Sequence, residues 1–452
     1  MGMHIRQVGE VTYTEDFAKI ISEIKFEDLS AQTIHAAKRG LLDWLGCALI
    51  GSKHSTPDIL IETLLENASS EQSIVLGKRR RLSFLDAALV NGQMGHILDF
   101  DDTHMGGVVL HASSPTLSAL MSESQRKATS PRDFLLAYVC GFEAGVRVGQ
   151  SSPDHHAGGW HLTGTLGHFA AGVATGKLIG LDPQQLSYAM GIAATQASGM
   201  QQNRGTMCKS FHAGRAASNG ILSARLALKG FNSSLEIVEG KRGFSRIYSA
   251  RSEPSKMVEN LGVLWEIDRN GFKPYACGVV LHPAIDAMIE LYRMKACALE
   301  DIDKIEVSVH PLVLSITGTQ APTSGLHSKF SIYHSAAIAL VDGQAGLAQY
   351  SDERVLDLGV EQIRQKIKVH VDESLGRDQA RASIFFKGKH KEVFIAHATG
   401  TIDHPMSDQD LERKFLSNAA EVLGVKAATE IAQMVWSLDS LQDMSTLWRL
   451  CE

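Results

Sequence analysis

No two of the six cysteines stand close enough to form a C-x-x-C pair, which excludes zinc-ribbon and thioredoxin-like chemistry. Their neighbours are mostly apolar, as in Leu45-Gly46-Cys47-Ala48-Leu49, so buried free thiols in a reducing cytosol are expected. No uncharged apolar run reaches the roughly 18 residues of a membrane span. The Met1–Gln7 start lacks the apolar core of a signal peptide. Neither sign of charge dominates: 44 Lys+Arg stand against 50 Asp+Glu, a net charge of −6. Such a chain has no general attraction to nucleic acid or an anionic membrane, although a local basic pocket for a small anion is compatible with it. No GxGxxG opens a βα unit, and no HExxH or His-x-His supplies a metal site. Gly172-Val-Ala-Thr-Gly-Lys177 is one residue short of a phosphate loop, with Leu178 where a magnesium-binding hydroxyl belongs; it reads as helix packing. These absences leave a soluble, cytoplasmic protein with no cofactor.

At 452 residues, 44% hydrophobic and 21% charged, the chain is of average globular composition. Its length admits three domains, or one large and one small. The first two-thirds read as helix. Phe17, Ile20, Ile21 and Ile24 follow the i, i+3, i+4, i+7 spacing, and Ile34, Leu41 and Leu45 continue it. Small residues fill Gly164 to Gly180, Tyr188 to Ser198 and Ala213 to Gly230, which lets helices approach closely. The texture changes near Asn270. Ile305, Val307 and Val309 alternate with polar residues, as do Ile367, Val369 and Val371, the period of half-buried strands. Ser383–Lys387 and Glu392–Ala396 flank Gly388-Lys-His-Lys391, which predicts a hairpin, and Ser331 to Leu347 is again helical. The expected fold is mainly α: an all-helical domain over 1–269, completed by helices from 401–452, and a smaller α+β lid over 270–400.

Asp99-Phe-Asp101-Asp102-Thr103-His104 gathers polar groups after the apolar stretch Ala87 to Leu98. An aspartate-rich magnesium motif would need a further acid where Met105 stands, and a cluster of this kind often only caps a helix. Histidines weight the functional side. His111, His161 and His212 each stand among Gly, Ser and Thr, the setting of loops, with Lys209 and Arg215 beside the last. Imidazole titrates near neutrality and serves as general acid or base, and lysine and arginine hold carboxylates. Lys209 and His212 would share a face if their segment were helical.

Several of these stretches together resemble the MmgE/PrpD family: Gly95-His-Ile-Leu-Asp99-Phe-Asp-Asp-Thr103, His111-Ala-Ser-Ser-Pro115, Gly159-Trp-His161, Gly164-Thr-Leu-Gly167 and Lys209-x-x-His212-x-Gly-x-Ala216. Lys273-Pro-Tyr-Ala-Cys-Gly-x-x-x-His282-Pro-Ala-Ile-Asp286 resembles the opening of that family's second domain. The resemblance implies a homodimer and cofactor-independent chemistry on di- or tricarboxylates: 2-methylcitrate dehydration, cis-aconitate decarboxylation or iminodisuccinate epimerisation. By matching position it places Asp99, Thr103, His111, His161 and Lys209 in the site. Asp99, His111, His161, Lys209 and His282 are the expected catalytic residues; Thr103, His212, Arg215 and Lys273 are the expected substrate-binding residues. For His282 a capping role is an equal reading. One departure matters: the decarboxylase branch has a histidine where this chain has Gly278, and a tyrosine near the position of Leu314.

The expected reaction is hydro-lyase chemistry of the 2-methylcitrate dehydratase kind. His111 or His161 takes a proton α to a carboxylate, and Lys209 stabilises the aci-carboxylate. Epimerisation uses the same apparatus from two faces, and decarboxylation is the third family alternative. A metal-dependent hydrolase built on Asp99, Asp101, Asp102 and His104 is the alternative from another class, and a non-catalytic carboxylate binder a further one.

Overall fold

The computed structural model describes residues 12–67 and 70–452; the Met1–Gln7 stretch lies outside them. The architecture is mainly α, with a smaller α+β region toward the C-terminus. No helix among the described residues is long and apolar enough to cross a membrane.

The helices form where the apolar spacing places them. Phe17 and Ile21 of Tyr13–Glu23 are fully buried. Lys177, the residue that imitates a phosphate-loop lysine, donates instead to the carbonyls of Ile21, Ser22 and Ile24. It thereby satisfies the open C-terminal end of that first helix. Small residues do bring backbones together. A Cβ at Gly92 would lie 2.8 Å from the Gly214 Cα, so Phe84–His96 and Met207–Leu228 cross in near-backbone contact. That crossing brings the end of one helix, and the Asp99 turn after it, beside the start of the other.

The helical core takes residues from both ends of the chain. Leu411, Phe415, Ile431, Val435 and Trp448 pack in one cluster with Trp44 and Phe134. Phe272 still belongs to that cluster, and Asn270–Gly271 pairs with Thr103–His104. The second core is built from Ala276 onward, with Cys47 and Phe100 of the helical part packed into it.

The lid carries a four-stranded sheet in the order Ile367–Val371, Ile302–Val309, Ala380–Phe386, Lys389–Ile395. The first pair is parallel and the others antiparallel. Helices His282–Met294 and Ile332–Asp342 pack against it. The hairpin turn is tighter than the sequence predicts. Only Lys387 and Gly388 form it, both at positive φ (49° and 74°), which matches the twist of the strands, and the strand resumes at Lys389. The predicted Ser331–Leu347 helix stops at Asp342, where Gly343 takes a left-handed φ of 66°. The thiols also differ from expectation, because Cys208 is exposed and Cys297 half-buried, while the other four are buried.

Candidate active site

Between the two domains lies a cavity of about 390 Å³, within the size range of small-molecule sites. The helical domain lines it with Asp99, His111, His161, Lys209 and Lys273 among others; the lid lines it with Gly278, Val279, Val280, Leu312, Ile316 and Phe330, and with Arg377 and Asp378.

Asp99 organises the charged wall. It follows the Phe84–His96 helix in a left-handed turn, φ 51°, a conformation that aspartate tolerates better than most side chains. Its Oδ1 accepts from Lys209 Nζ at 3.1 Å and Lys273 Nζ at 2.9 Å, and its backbone carbonyl accepts from Lys273 at 3.0 Å. Burial alone would raise the Asp99 pKa, but the two ammonium groups outweigh it and hold the carboxyl well below its ordinary range. Burial also works against charge on both lysines. It lowers Lys209, whereas for Lys273 the charges of Asp99 and Asp101 prevail and raise it. Each ammonium has three protons. Lys273 spends two on Asp99; Lys209 spends one on Asp99 and one on His96 Nε2 at 3.2 Å. One proton on each is left for a ligand carboxylate.

His111 precedes the Ser113–Ser124 helix, and its Nδ1 lies 2.7 Å from the Asp102 carbonyl and 3.0 Å from Thr103 Oγ1. A carbonyl only accepts, so Nδ1 carries the proton and Nε2 keeps the lone pair. Burial, then Lys273, pushes the His111 pKa down to about 3, so the ring is neutral near pH 7. His161 stands at the N-terminal boundary of Leu162–Ile179 without a side-chain hydrogen bond to that helix. Its Nδ1 shares a proton with His212 Nδ1 at 3.0 Å, and its buried Nε2 has no partner. Burial and then Lys209 hold it well below the ordinary range.

Sequence reasoning missed the group that joins these two rings. His96 stacks on His161 (5.4 Å, 17°) and lies 4.8 Å from His111, centroid to centroid. Its Nδ1 donates to Asp101 at 2.7 Å while its Nε2 accepts from Lys209. In sequence it stands within the Gly95–Thr103 stretch but at the end of an apolar run, and it is given no role there. Arg204, which also lines the cavity, stands 3.3 Å from His156 Nε2; no motif marked it.

The remaining predicted residues divide. Lys209, His212 and Arg215 lie on one helix, Met207–Leu228, and not in a loop. His212 supports His161 from behind and does not line the cavity. Thr103 likewise backs His111. Arg215 is not brought to the site: it is exposed and bonded to Asn219 at 3.1 Å. His282 opens the His282–Met294 helix, buried beside Tyr275 with Nε2 unpartnered; burial, then Lys273, pushes it down to about 3. It lies outside the cavity lining.

The four side chains of the hydrolase reading point four ways. Asp99 meets the lysines, Asp101 meets His96, Asp102 meets Ser113 and Asn270, and His104 meets Glu266 at 3.0 Å. That divergence removes the shared cation site which the reading requires. Among the described residues, His96, Asp101 and His111 do bring possible ligand atoms within 4.8 Å of one another. The Asp101 carboxylate is already engaged by His96, and the lysine charges beside it favour an anion over a cation.

The chain matches the MmgE/PrpD N-terminal domain over residues 15–257 and the MmgE/PrpD C-terminal domain over residues 275–440. It is 28% identical to a cis-aconitate decarboxylase from Aspergillus terreus (strain NIH 2624 / FGSC A1156), over 97% of this chain and 95% of that one. It is 27% identical to the cis-aconitate decarboxylase of Homo sapiens, over 97% and 94% of the two chains. With a 2-methylcitrate dehydratase of Escherichia coli (strain K12) the identity is 22%, over 81% and 79%.

Proposed function

The chain belongs to the MmgE/PrpD family, and from that premise we propose that it is a cofactor-independent lyase acting on a small di- or tricarboxylate, a hydro-lyase of the 2-methylcitrate dehydratase kind. The observation that carries this reading is the pairing of two neutral imidazoles, His111 and His161, with two lysines clamped on Asp99, all facing one cavity.

The substrate's carboxylate takes the free protons of Lys209 and Lys273. His111 Nε2, its tautomer fixed by the Asp102 carbonyl, accepts the proton α to that carboxylate. In the empty site this ring is too weak a base, at about 3. A bound dianion offsets the lysine charges and raises it toward a useful range. The aci-carboxylate that forms carries two negative charges, and the ammonium pair is already in place to hold them. The same dianion offsets the charge of Lys209 beside His161, so that this ring takes up a proton on its unpartnered Nε2 and delivers it to the leaving hydroxyl, which departs as water. Returned to the opposite face of the carbon instead, the same proton would give epimerisation.

Decarboxylation is the second reading, favoured by the higher identity and fuller coverage of the cis-aconitate decarboxylases. Against it stands Gly278, which offers no side-chain proton where that branch has an imidazole. The alternative donors are otherwise engaged: Tyr275 donates to Asp286 at 2.5 Å, burial pushes the Cys277 thiol up to about 12, and the His310 ring accepts from the Leu312 N–H. None of the three lines the cavity.

A panel of di- and tricarboxylates followed by proton NMR in heavy water tests the proposal. Loss of water with an alkene signal is the expected outcome. Conversion of cis-aconitate to itaconate at about 1–10³ per second would establish the second reading, and a panel with neither turnover nor exchange would overturn both.

A further inference from the structure

The lysines of the cavity look across to an apolar stretch of the lid, which Arg377 and Asp378 border. Facing the lysines, the lid presents Val279, Val280, Leu312, Ile316 and Phe330. Each is only partly buried, although the residues behind them, such as Leu281 and Val313, are almost wholly so. Of the five, Val280 alone packs into the lid's own core. The lid thus keeps a set of aliphatic and aromatic surfaces uncovered, and the cavity is where they lie. Apolar area left open beside a cation pair lowers affinity for a ligand that is charged at every edge. A carboxylate pressed onto this wall would lose its water without gaining a hydrogen bond, a penalty of several kcal/mol. Apolar carbon placed there gains free energy instead.

Resting on the reading of the charged wall as a carboxylate site, we infer that the substrate carries an alkyl substituent of several carbons on the chain that bears its carboxylates, seated against Val279, Val280, Leu312, Ile316 and Phe330. The ligand class is an amphipathic dicarboxylate. Its charged end meets Lys209 and Lys273, and its hydrocarbon end crosses the cavity to the lid. Leu312 and Ile316, one turn apart on the short Pro311–Thr317 helix, are the specificity-determining pair, since residues four apart share a helix face.

The test is calorimetric binding of succinate and its 2-methyl, 2-propyl, 2-butyl and 2-hexyl derivatives to the full chain. Affinity is expected to rise about fourfold per methylene up to butyl, the ratio equivalent to ~0.8 kcal/mol per buried CH₂. Leu312→Ser and Ile316→Ser should each flatten that rise. Lys209→Ala should lower the affinity of every member by a common factor and leave the rise intact. Succinate binding with a flat or falling dependence on chain length would overturn the inference and leave the carboxylate site standing. A rise that survives both lid substitutions would place the hydrocarbon elsewhere and overturn it as well. Failure of every member to bind would overturn the carboxylate reading, and this inference with it.

Discussion

The helical wall and the lid wall of the cavity solve different problems. On the helical side every charged group is held by another: Asp99 by two lysines, Lys209 by His96, His96 by Asp101, His111 by the Asp102 carbonyl. Such a network is expensive to bury, and removing one member leaves its partner uncompensated. On the lid side Arg377 and Asp378 stand at the border, but Val279, Val280, Leu312, Ile316 and Phe330 carry no charge, and one of these can change without stranding one. Under the proposed reading the difference teaches that the charged groups of the reaction come from the helical wall, while the lid supplies the apolar surface against the substrate and, at Gly278, a position that bears on the reaction branch.

Breaking the helical wall should have the largest effect. Lys209→Ala, His111→Ala and His161→Ala are each expected to lower turnover by about 10² or more, the range of general acid–base and electrostatic groups. Steady-state kinetics with the substrate found in the panel checks this, alongside a melting curve. Loss of cooperative melting in all three variants would make them structural and the proposed site wrong.

A gain of function would sharpen the contrast. Gly278 has φ −58°, and a Cβ there meets its nearest neighbours, Lys329 and Phe330, at 3.7 Å, ordinary van der Waals distance. Glycine is therefore not required by the backbone, and Gly278→His should fold. It is expected to raise itaconate formation from cis-aconitate by about 10-fold or more, since a general acid contributes about 10²–10⁴ when well placed. Chromatography of the product decides, and an unchanged rate would mean that the lid position alone does not select the reaction.

A smaller effect probes the layer behind the helical wall. Burial, then the charge of Asp43, pushes the Asp102 carboxyl up to about 8. The folded protein therefore keeps a proton which the unfolded chain releases above about pH 4. For this group stability is fully present below pH 4 and is lost as pH rises toward 8. Asp102→Asn, neutral at every pH, should show a gain in Tm over the parent that grows between pH 5 and pH 8. The lowered histidines act in the opposite direction. His111 at about 3, with His168 and His212 at about 4, refuse protons that the unfolded chain accepts below about pH 6.5, so acidification from there destabilises. A Tm difference between Asp102→Asn and parent that is flat with pH would contradict the assignment for Asp102. The smallest effect is expected at Arg215, whose exposed side chain holds only Asn219; Arg215→Ala should change turnover less than about twofold, as a surface substitution does.

Much of this was readable in the sequence, for identifiable reasons. Long small-residue helices and the alternation at Ile305–Val309 and Ile367–Val371 announce themselves by period. The hairpin was misjudged because Lys389–Ile395 is an exposed edge strand whose side chains do not alternate in polarity. Asp99, His111, His161 and Lys209 were brought together in sequence by the family resemblance, and Lys273 by the stretch that opens the second domain; the fold lines one cavity with all five. Arg215 was misplaced by treating its segment as a loop. At 100° per residue it lies about 240° around the helix from Lys209, on another face, whereas His212, three residues on, stays near. His96 was hidden by looking like a helix end, and Leu312 and Ile316 by looking like core. Nothing in sequence distinguishes an aliphatic residue that faces a cavity from one that faces its neighbours.

The helical core closes around both ends of the described chain, with Asp408–Leu423 packed on Ala31–Gly51. During synthesis the earlier helix emerges about 350 residues before its partner, and at about 5–20 residues per second it waits on the order of tens of seconds. The lid, contiguous in sequence, is complete before then. Synthesis therefore finishes the contiguous lid while the domain bearing the lysines is still open, and the helices from Asp408 onward seal the apolar face that an unfinished chain would offer to chaperones.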